Sequence, residues 1–144
     1  MKEYVVDVNV IMAGLLSEKK DLYLSLLDTY ILYVPDFSLV EIEKYKNLLI
    51  KKQVNWMIHR AFAIEVFKRL TVIPSYLISE SAFERAFILT EGVDPKDSHY
   101  VALSIELKTK LITRDKKLYE GLLAKGFADI IMFDKIIDDF LLKK

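Results

Sequence analysis

The sequence predicts an α/β fold with a mainly parallel sheet. Two patterns carry this reading. Five short apolar runs, several of them β-branched and aromatic, are spread along the chain. Longer stretches of helical periodicity separate them, and strands alternating with helices favour a parallel sheet. The length is compatible: 144 residues, 53% apolar and 12% aromatic, suit one domain, 1–144, with a sizeable core.

Tyr4-Val5-Val6 reads as a buried strand ending at Asp7. Residues 9–30 turn helical, with a break near 17–20, and Leu22, Leu26 and Tyr30 fall four apart on one face. Residues 31–34 form a second strand stopped by Pro35. Residues 36–52 are helical, with Phe37, Val40, Tyr45, Leu48 and Leu49 as the apolar stripe. Another helix covers 54–69. Thr71-Val72-Ile73 is a third strand closed by Pro74. Residues 79–91 are helical and end at Gly92, a favoured residue just past a helix. Residues 95–108 are helical, with Asp94 as N-cap and Pro95 in the first position. Residues 110–113 make a fourth strand, 116–125 a short helix stopped by Gly126, Ile130-Ile131-Met132 a fifth strand, and 134–142 a closing helix. In that last helix Ile136, Ile137, Phe140 and Leu141 share the side expected against the sheet.

Composition removes several function classes. Lys plus Arg is 21 and Asp plus Glu is 21, which argues against coating nucleic acid by bulk charge but leaves a local basic groove open. The absence of cysteine excludes disulfides, thiolate zinc sites and a cysteine nucleophile. With only two histidines, any metal site must be built largely from carboxylates, which favour Mg²⁺ or Mn²⁺. The opening MKEYVVDVNV lacks a signal-peptide core, and no uncharged apolar run nears the ~20 residues of a membrane span, so a soluble, cytoplasmic protein is expected.

Ligands of open parallel sheets bind beyond the carboxyl ends of the strands, so acids there carry the interest. Asp7 directly follows the first strand; an acid inside an apolar run is costly to bury unless it is paired or holds a metal, although Asp7 or Asn9 also serves as a helix cap. Glu41 completes Ser38-Leu39-Val40-Glu41, which also matches a capping box. Asp97 lies in a first helical turn, where acids favour the helix dipole. Asp115 lies two residues beyond the fourth strand and can equally cap the next helix. Together these four can face one crevice. Four converging carboxylates repel unless cations neutralise them, and carboxylate sites with Mg²⁺ or Mn²⁺ suit phosphodiester cleavage.

In order along the chain stand Asp7-Val8-Asn9-Val10-Ile11, Leu39-Val40-Glu41-Ile42, Asp97-Ser98-His99-Tyr100-Val101-Ala102-Leu103 and Leu111-Ile112-Thr113-Arg114-Asp115. These motifs resemble those of the PIN domain family, the small nuclease fold of VapC-type toxins and RNA-processing nucleases. The resemblance covers almost the whole chain. It implies about five parallel strands with helices on both faces, and a metal-dependent endoribonuclease leaving 5′-phosphate and 3′-hydroxyl ends. It implies Asp7, Glu41, Asp97 and Asp115 as the catalytic, Mg²⁺- or Mn²⁺-holding quartet, with Asn9 and Thr113 in support and Asp94 adding charge at the rim. Lys108-Thr109-Lys110 departs from the family, which often has a glycine there, and leaves that loop's conformation open.

RNA approaching an acidic pocket requires a basic rim. Lys96, Arg114, Lys116 and Lys117 are the candidates beside the acids; Lys44, Lys46, Lys51, Lys52 and Arg60 form a second set. Tyr45 and Tyr100 are candidate stacking residues, and Trp56 is expected in the core. His99 is expected as a solvated helix residue. An antitoxin and a second copy of the chain are the protein partners the resemblance suggests, with toxin and RNA-processing roles both open. Two rivals remain. A haloacid dehalogenase-type phosphatase would use Asp7, but Asn9 stands where that class has a second acid, and the late pair Asp138-Asp139 falls in a helix. A non-catalytic RNA- or protein-binding module on the same fold is the other, and the intact quartet argues against it.

Overall fold

A computed structural model describes residues 1–52 and 55–143. Its elements run β1 (Glu3–Val6), α1 (Val8–Leu15), α2 (Lys20–Thr29), β2 (Ile31–Pro35), α3 (Phe37–Lys44), α4 (Lys46–Lys52), α5 (Trp56–Lys68), β3 (Leu70–Ile73), α6 (Glu80–Thr90), α7 (Ser98–Leu107), β4 (Leu111–Thr113), α8 (Lys116–Ala124), β5 (Ile130–Met132) and α9 (Phe133–Leu142). Short 3₁₀ turns at Ser75–Leu77 and Pro95–Asp97 precede α6 and α7. The sheet order is β3-β2-β1-β4-β5 and every neighbouring pair is parallel.

Alternation along the strands divides the core between two faces. Val6, Leu32, Val34 and Ile112 point to one face, where Ile11, Leu26, Val66 and Ile136 of α1, α2, α5 and α9 cover them. Val5, Leu111 and Ile130 point to the other, against Ala86, Val101, Leu103 and Leu122 of α6, α7 and α8. The sheet thus carries helices on both faces, as the family resemblance implies. Among the described residues no helix is long and apolar enough to cross a membrane.

Several expected elements are redrawn. The helix expected over 36–52 breaks at Tyr45, whose N–H returns to the Ile42 carbonyl at 3.0 Å. In a straight helix Glu41 and Leu49 would lie about 80° apart around the axis; as two helices, α3 buries Glu41 and α4 buries Leu49. The expected stripe fails accordingly, since Val40, Tyr45 and Leu48 are exposed. The helix expected from 54 begins at Trp56, with the Asn55 side chain accepting from the Ile58 N–H at 3.1 Å; Val54 lies outside the described residues. The helix expected over 95–108 opens as a 3₁₀ turn, because the Asp94 carboxylate accepts from the Lys96 N–H and the Ser98 hydroxyl donates to the Pro95 carbonyl, tightening that turn. In α9, Ile136 and Phe140 are buried but Leu141 is half exposed.

Candidate active site

Strand order reverses direction at β1. From β1 the chain moves outward through β2 to β3, and β4 and β5 occupy the opposite side. Such a switch leaves a crevice at the carboxyl ends of the two central strands, here β1 and β4. Asp7 follows β1 directly, and its N–H donates to the Ile112 carbonyl of β4 at 3.0 Å. Thr113 ends β4, and Asp115 follows two residues later.

A hydrogen-bond web joins these strand ends. Asp7 stands at the N-cap position of α1, yet its side chain does not cap that helix. Its Oδ2 instead accepts from the Thr113 hydroxyl at 2.8 Å and from Asn9 Nδ2 at 3.2 Å. Thr113 Oγ1 also accepts from Asn9 Nδ2 at 3.3 Å and from the Asp115 N–H at 3.0 Å. Asn9 Oδ1 accepts from the Arg114 N–H at 3.0 Å. Asn9 and Thr113 therefore orient Asp7 and the Arg114–Asp115 turn together. Asp115 does cap α8, with Oδ1 accepting from the Leu118 N–H at 3.1 Å.

The other two acids enter from helices. The Ser38–Glu41 pair is not a capping box: Ser38 lies inside α3 and its hydroxyl donates to the Pro35 carbonyl at 2.7 Å, leaving Glu41 free to turn inward. Glu41 Oε1 accepts from the Tyr100 hydroxyl at 2.5 Å. Tyr100 is 1% exposed. It is thus a buried partner of Glu41 and not a base-stacking residue. Asp97 stands at the start of α7, buried, and its Oδ2 is sealed from solvent with no hydrogen-bond partner. Asp94 is exposed at the rim.

Electrostatics bind the acids into one group. Burial pushes the Asp7 carboxyl up to about 6, the Thr113 hydroxyl opposes this, and the charges of Glu41 and Asp115 raise it further. Asp97 is pushed up to about 8, first by burial, then by Asp7, Asp94, Asp115 and Glu41. Burial and the neighbouring Glu41 drive the Tyr100 phenol far above its ordinary value, so it stays a donor. None of the ion pairs between described residues reaches the four acids. Buried carboxylates without counter-charge, an orphaned oxygen and an all-oxygen donor set fit a hard divalent cation. The fit is one of charge and chemistry: among the described residues no three His, Asp or Glu side chains are arranged to hold an ion.

Around the crevice Lys96, Arg114, Lys116 and Lys117 are all exposed. Lys116 pairs with Glu120 at 3.8 Å, one turn along α8; the other three have no carboxylate partner among the described residues. His99 is partly buried rather than a solvated surface residue. Its ring stacks on Phe37 at 3.9 Å and meets the Phe83 ring edge-on, and burial lowers its pKa. Trp56 is not core but 50% exposed, because at about 100° per residue it falls to the side of the stripe that His59, Phe62 and Val66 bury. Sequence reasoning missed the role of Tyr100. Its signal is the spacing of three from Asp97 within an apolar run, where a buried phenol needs a partner.

A solved chain similar in fold comes from VapBC2 of Rickettsia felis, crystallised bound to a DNA fragment from its promoter. The TM-score is 0.59 at 14% identity, covering 90% of this chain and 96% of that one. No curated protein matches the sequence significantly. The family model of the PIN domain matches residues 5–131, from within β1 to within β5 and across all four acids. The chain belongs to the PIN domain family.

Proposed function

We propose that this chain is a metal-dependent endoribonuclease acting in the cytoplasm as the toxin of a toxin–antitoxin pair. PIN domains are generally nucleases and typically use divalent metals. The observation that carries the reading is the pair of buried carboxylates, Asp7 and Asp97, at the β1–β4 crevice: burial raises both, Glu41 and Asp115 add to both, Asp7 adds to Asp97, and no ion pair among the described residues answers them.

Asp7, Glu41, Asp97 and Asp115 are the residues proposed to hold Mg²⁺ or Mn²⁺, with Asp94 adding negative charge at the entrance. Bound there, such an ion supplies water activation and offsets charge on the phosphoryl oxygens. The chain's own groups prepare the site. Thr113 and Asn9 hold Asp7 in one orientation, Tyr100 holds Glu41, and the hydrogen bond to Leu118 holds Asp115. Arg114, Lys96 and Lys117 present unpaired positive charge to an RNA backbone, with Lys116 beside them.

The proposed protein partners are an antitoxin and a second copy of the chain. Support comes from α3–α5, where Leu39, Val40, Ile50, Met57, Ile58 and Ile64 are all exposed, an apolar surface that invites cover.

The deciding experiment incubates the purified protein with a pool of single-stranded and structured RNA in Mg²⁺, Mn²⁺ or EDTA, beside Asp7→Asn of equal foldedness. Cutting that needs the metal and falls at least about a hundredfold in the variant is the expected result. RNA binding with neither cutting nor metal binding overturns the proposal and leaves a binding module.

A further inference from the structure

We propose that a basic pocket at the far end of α1 binds a backbone phosphate of the RNA strand, with Lys20 and Lys52 supplying charge and His59 a hydrogen-bonding edge. This rests on the nuclease reading above and assigns that substrate a second foothold away from the acids.

The pocket, about 620 Å³, opens between the α1–α2 turn and the start of α5. Leu16, Ser17, Lys20, Lys52, Asn55 and His59 line it. His59 is 5% exposed, and its Nδ1 is sealed from solvent without a hydrogen-bond partner. An imidazole buried with an unanswered nitrogen is costly unless a ligand or water completes it. Lys20 stands beside it; burial, and after it the Lys20 charge, lowers the His59 pKa. The Lys20 ammonium is held in place, 5.5 Å from the centre of the Phe62 ring and donating to the Ser17 carbonyl at 3.2 Å. No carboxylate lies within ion-pair reach of Lys20 or Lys52 among the described residues. Glu18 also borders the pocket without pairing either lysine. A fixed, partly buried cation with no anion of its own is complementary to a phosphate.

The pocket connects with the candidate active site. A second groove, about 300 Å³, runs from Asn9 and Arg114 past Met12 and Ala13 to Leu16, with Tyr45 on its wall. Leu16 borders both. From Asn9 to Leu16 helix α1 advances about 10 Å, close to three stacked nucleotide steps of about 3.4 Å. Two exposed aromatic faces flank the path: Tyr45 on the groove wall, and Trp56 just outside the pocket's lining, its ring 5.7 Å from that of His59. Cations interleaved with aromatic faces along an apolar floor suit single-stranded RNA, where bases stack and phosphates meet lysines. An acidic peptide is the competing occupant, and the test separates the two.

Binding of a labelled single-stranded RNA of about 12 nucleotides is followed by fluorescence anisotropy across a salt series with metal chelated, for wild type, Lys52→Gln, Lys20→Gln and Lys20→Arg. Each Gln variant is expected to weaken binding and flatten the slope of log K against log salt by about 0.7. Lys20→Arg, which keeps the charge, is expected to hold the slope. In cleavage assays the Gln variants are expected to raise KM several-fold for the long RNA at unchanged kcat, and to leave a substrate of about four nucleotides unaffected. Lys52 is exposed and pairs with no carboxylate among the described residues, so Lys52→Gln reads the pocket even if Lys20→Gln folds poorly. Wild type that cuts RNA while slope and KM stay unchanged in the variants overturns the pocket alone. Wild type that neither binds nor cuts RNA overturns the nuclease reading with it. Displacement of polyglutamate from the pocket by Lys52→Gln, with RNA binding unmoved, assigns the pocket to an acidic protein segment and overturns the RNA assignment.

Discussion

Tyr100 shows how one atom can set the state of a site. Its hydroxyl donates to Glu41, and burial keeps it protonated at every working pH. Tyr100→Phe removes that donor while keeping the ring that fills the core. Partners one step behind a metal ligand are typically worth 10–100-fold in affinity. Mn²⁺ affinity of Tyr100→Phe, measured by calorimetry, is therefore expected to fall at least about tenfold with the fold intact. Asp7 shows the opposite economy. Its carboxyl is raised from 3.8 to about 6 chiefly by burial, a strain of up to about 3 kcal/mol at neutral pH in metal-free protein. Asp7→Asn is expected to be more stable than wild type in urea at pH 8 with metal chelated, the same change that is expected to remove most of the proposed cutting.

At the scale of elements, two positions mark where local geometry and sequence diverge. Lys108 ends α7 at φ 52°, in the left-handed region, and is the one non-glycine among the described residues to take a positive φ. This is the loop where the family often has glycine. Left-handed backbone costs a side chain about 1–2 kcal/mol, and glycine's extra chain entropy takes back about 0.5–1. Lys108→Gly is expected to raise stability by about 0.5–1 kcal/mol, read as a shifted denaturant midpoint at constant slope. Gly14 is the reverse. A Cβ there would fall 1.9 Å from the Tyr23 ring, whose hydroxyl donates to the Val10 carbonyl at 3.2 Å. Better helix propensity would offset about 1 kcal/mol, but Tyr23 would have to leave its place between α1 and α2. Gly14→Ala is expected to cost about 1–2 kcal/mol net, visible in thermal unfolding.

For the whole molecule, the acid cluster couples stability to pH and, on the proposed function, to metal. Asp7 and Asp97 have raised pKa values in the folded protein, so the folded state binds more protons than the unfolded chain between their ordinary and raised values. Stability from these groups is therefore complete below about pH 4 and is lost as pH rises through about 6 for Asp7 and about 8 for Asp97. Metal-free protein should melt at lower temperature at pH 8.5 than at pH 5.5. A divalent ion that binds the ionised cluster stabilises the folded state by mass action, so Mg²⁺ or Mn²⁺ should raise Tm more at pH 8.5 than at pH 5.5. Equal shifts at both values would count against metal binding at these acids.

Periodicity and punctuation were enough to read the order of strands and helices and the parallel sheet, because apolar spacing and Gly or Pro at element ends are local properties. The motif order carried the family, and with it the helices on both faces and the proposal of the quartet. Residue spacing alone left each acid ambiguous between cap and site. For Asp7 and Glu41 the structure removes the capping alternative, whereas Asp115 caps α8 and also belongs to the charged group. What the sequence hid were contacts between distant segments. Tyr100 meets Glu41 from 59 residues away and Thr113 meets Asp7 from 106. The break at Tyr45, the burial of His99 against Phe37 and the exposure of Trp56 depend on which face each helix finds covered. By itself the sequence determined the elements and their order, which follow from local backbone and side-chain preference. Only the tertiary structure decided how the acids share one field and which polar groups hold them, because those are properties of strands meeting at the switch between β1 and β4.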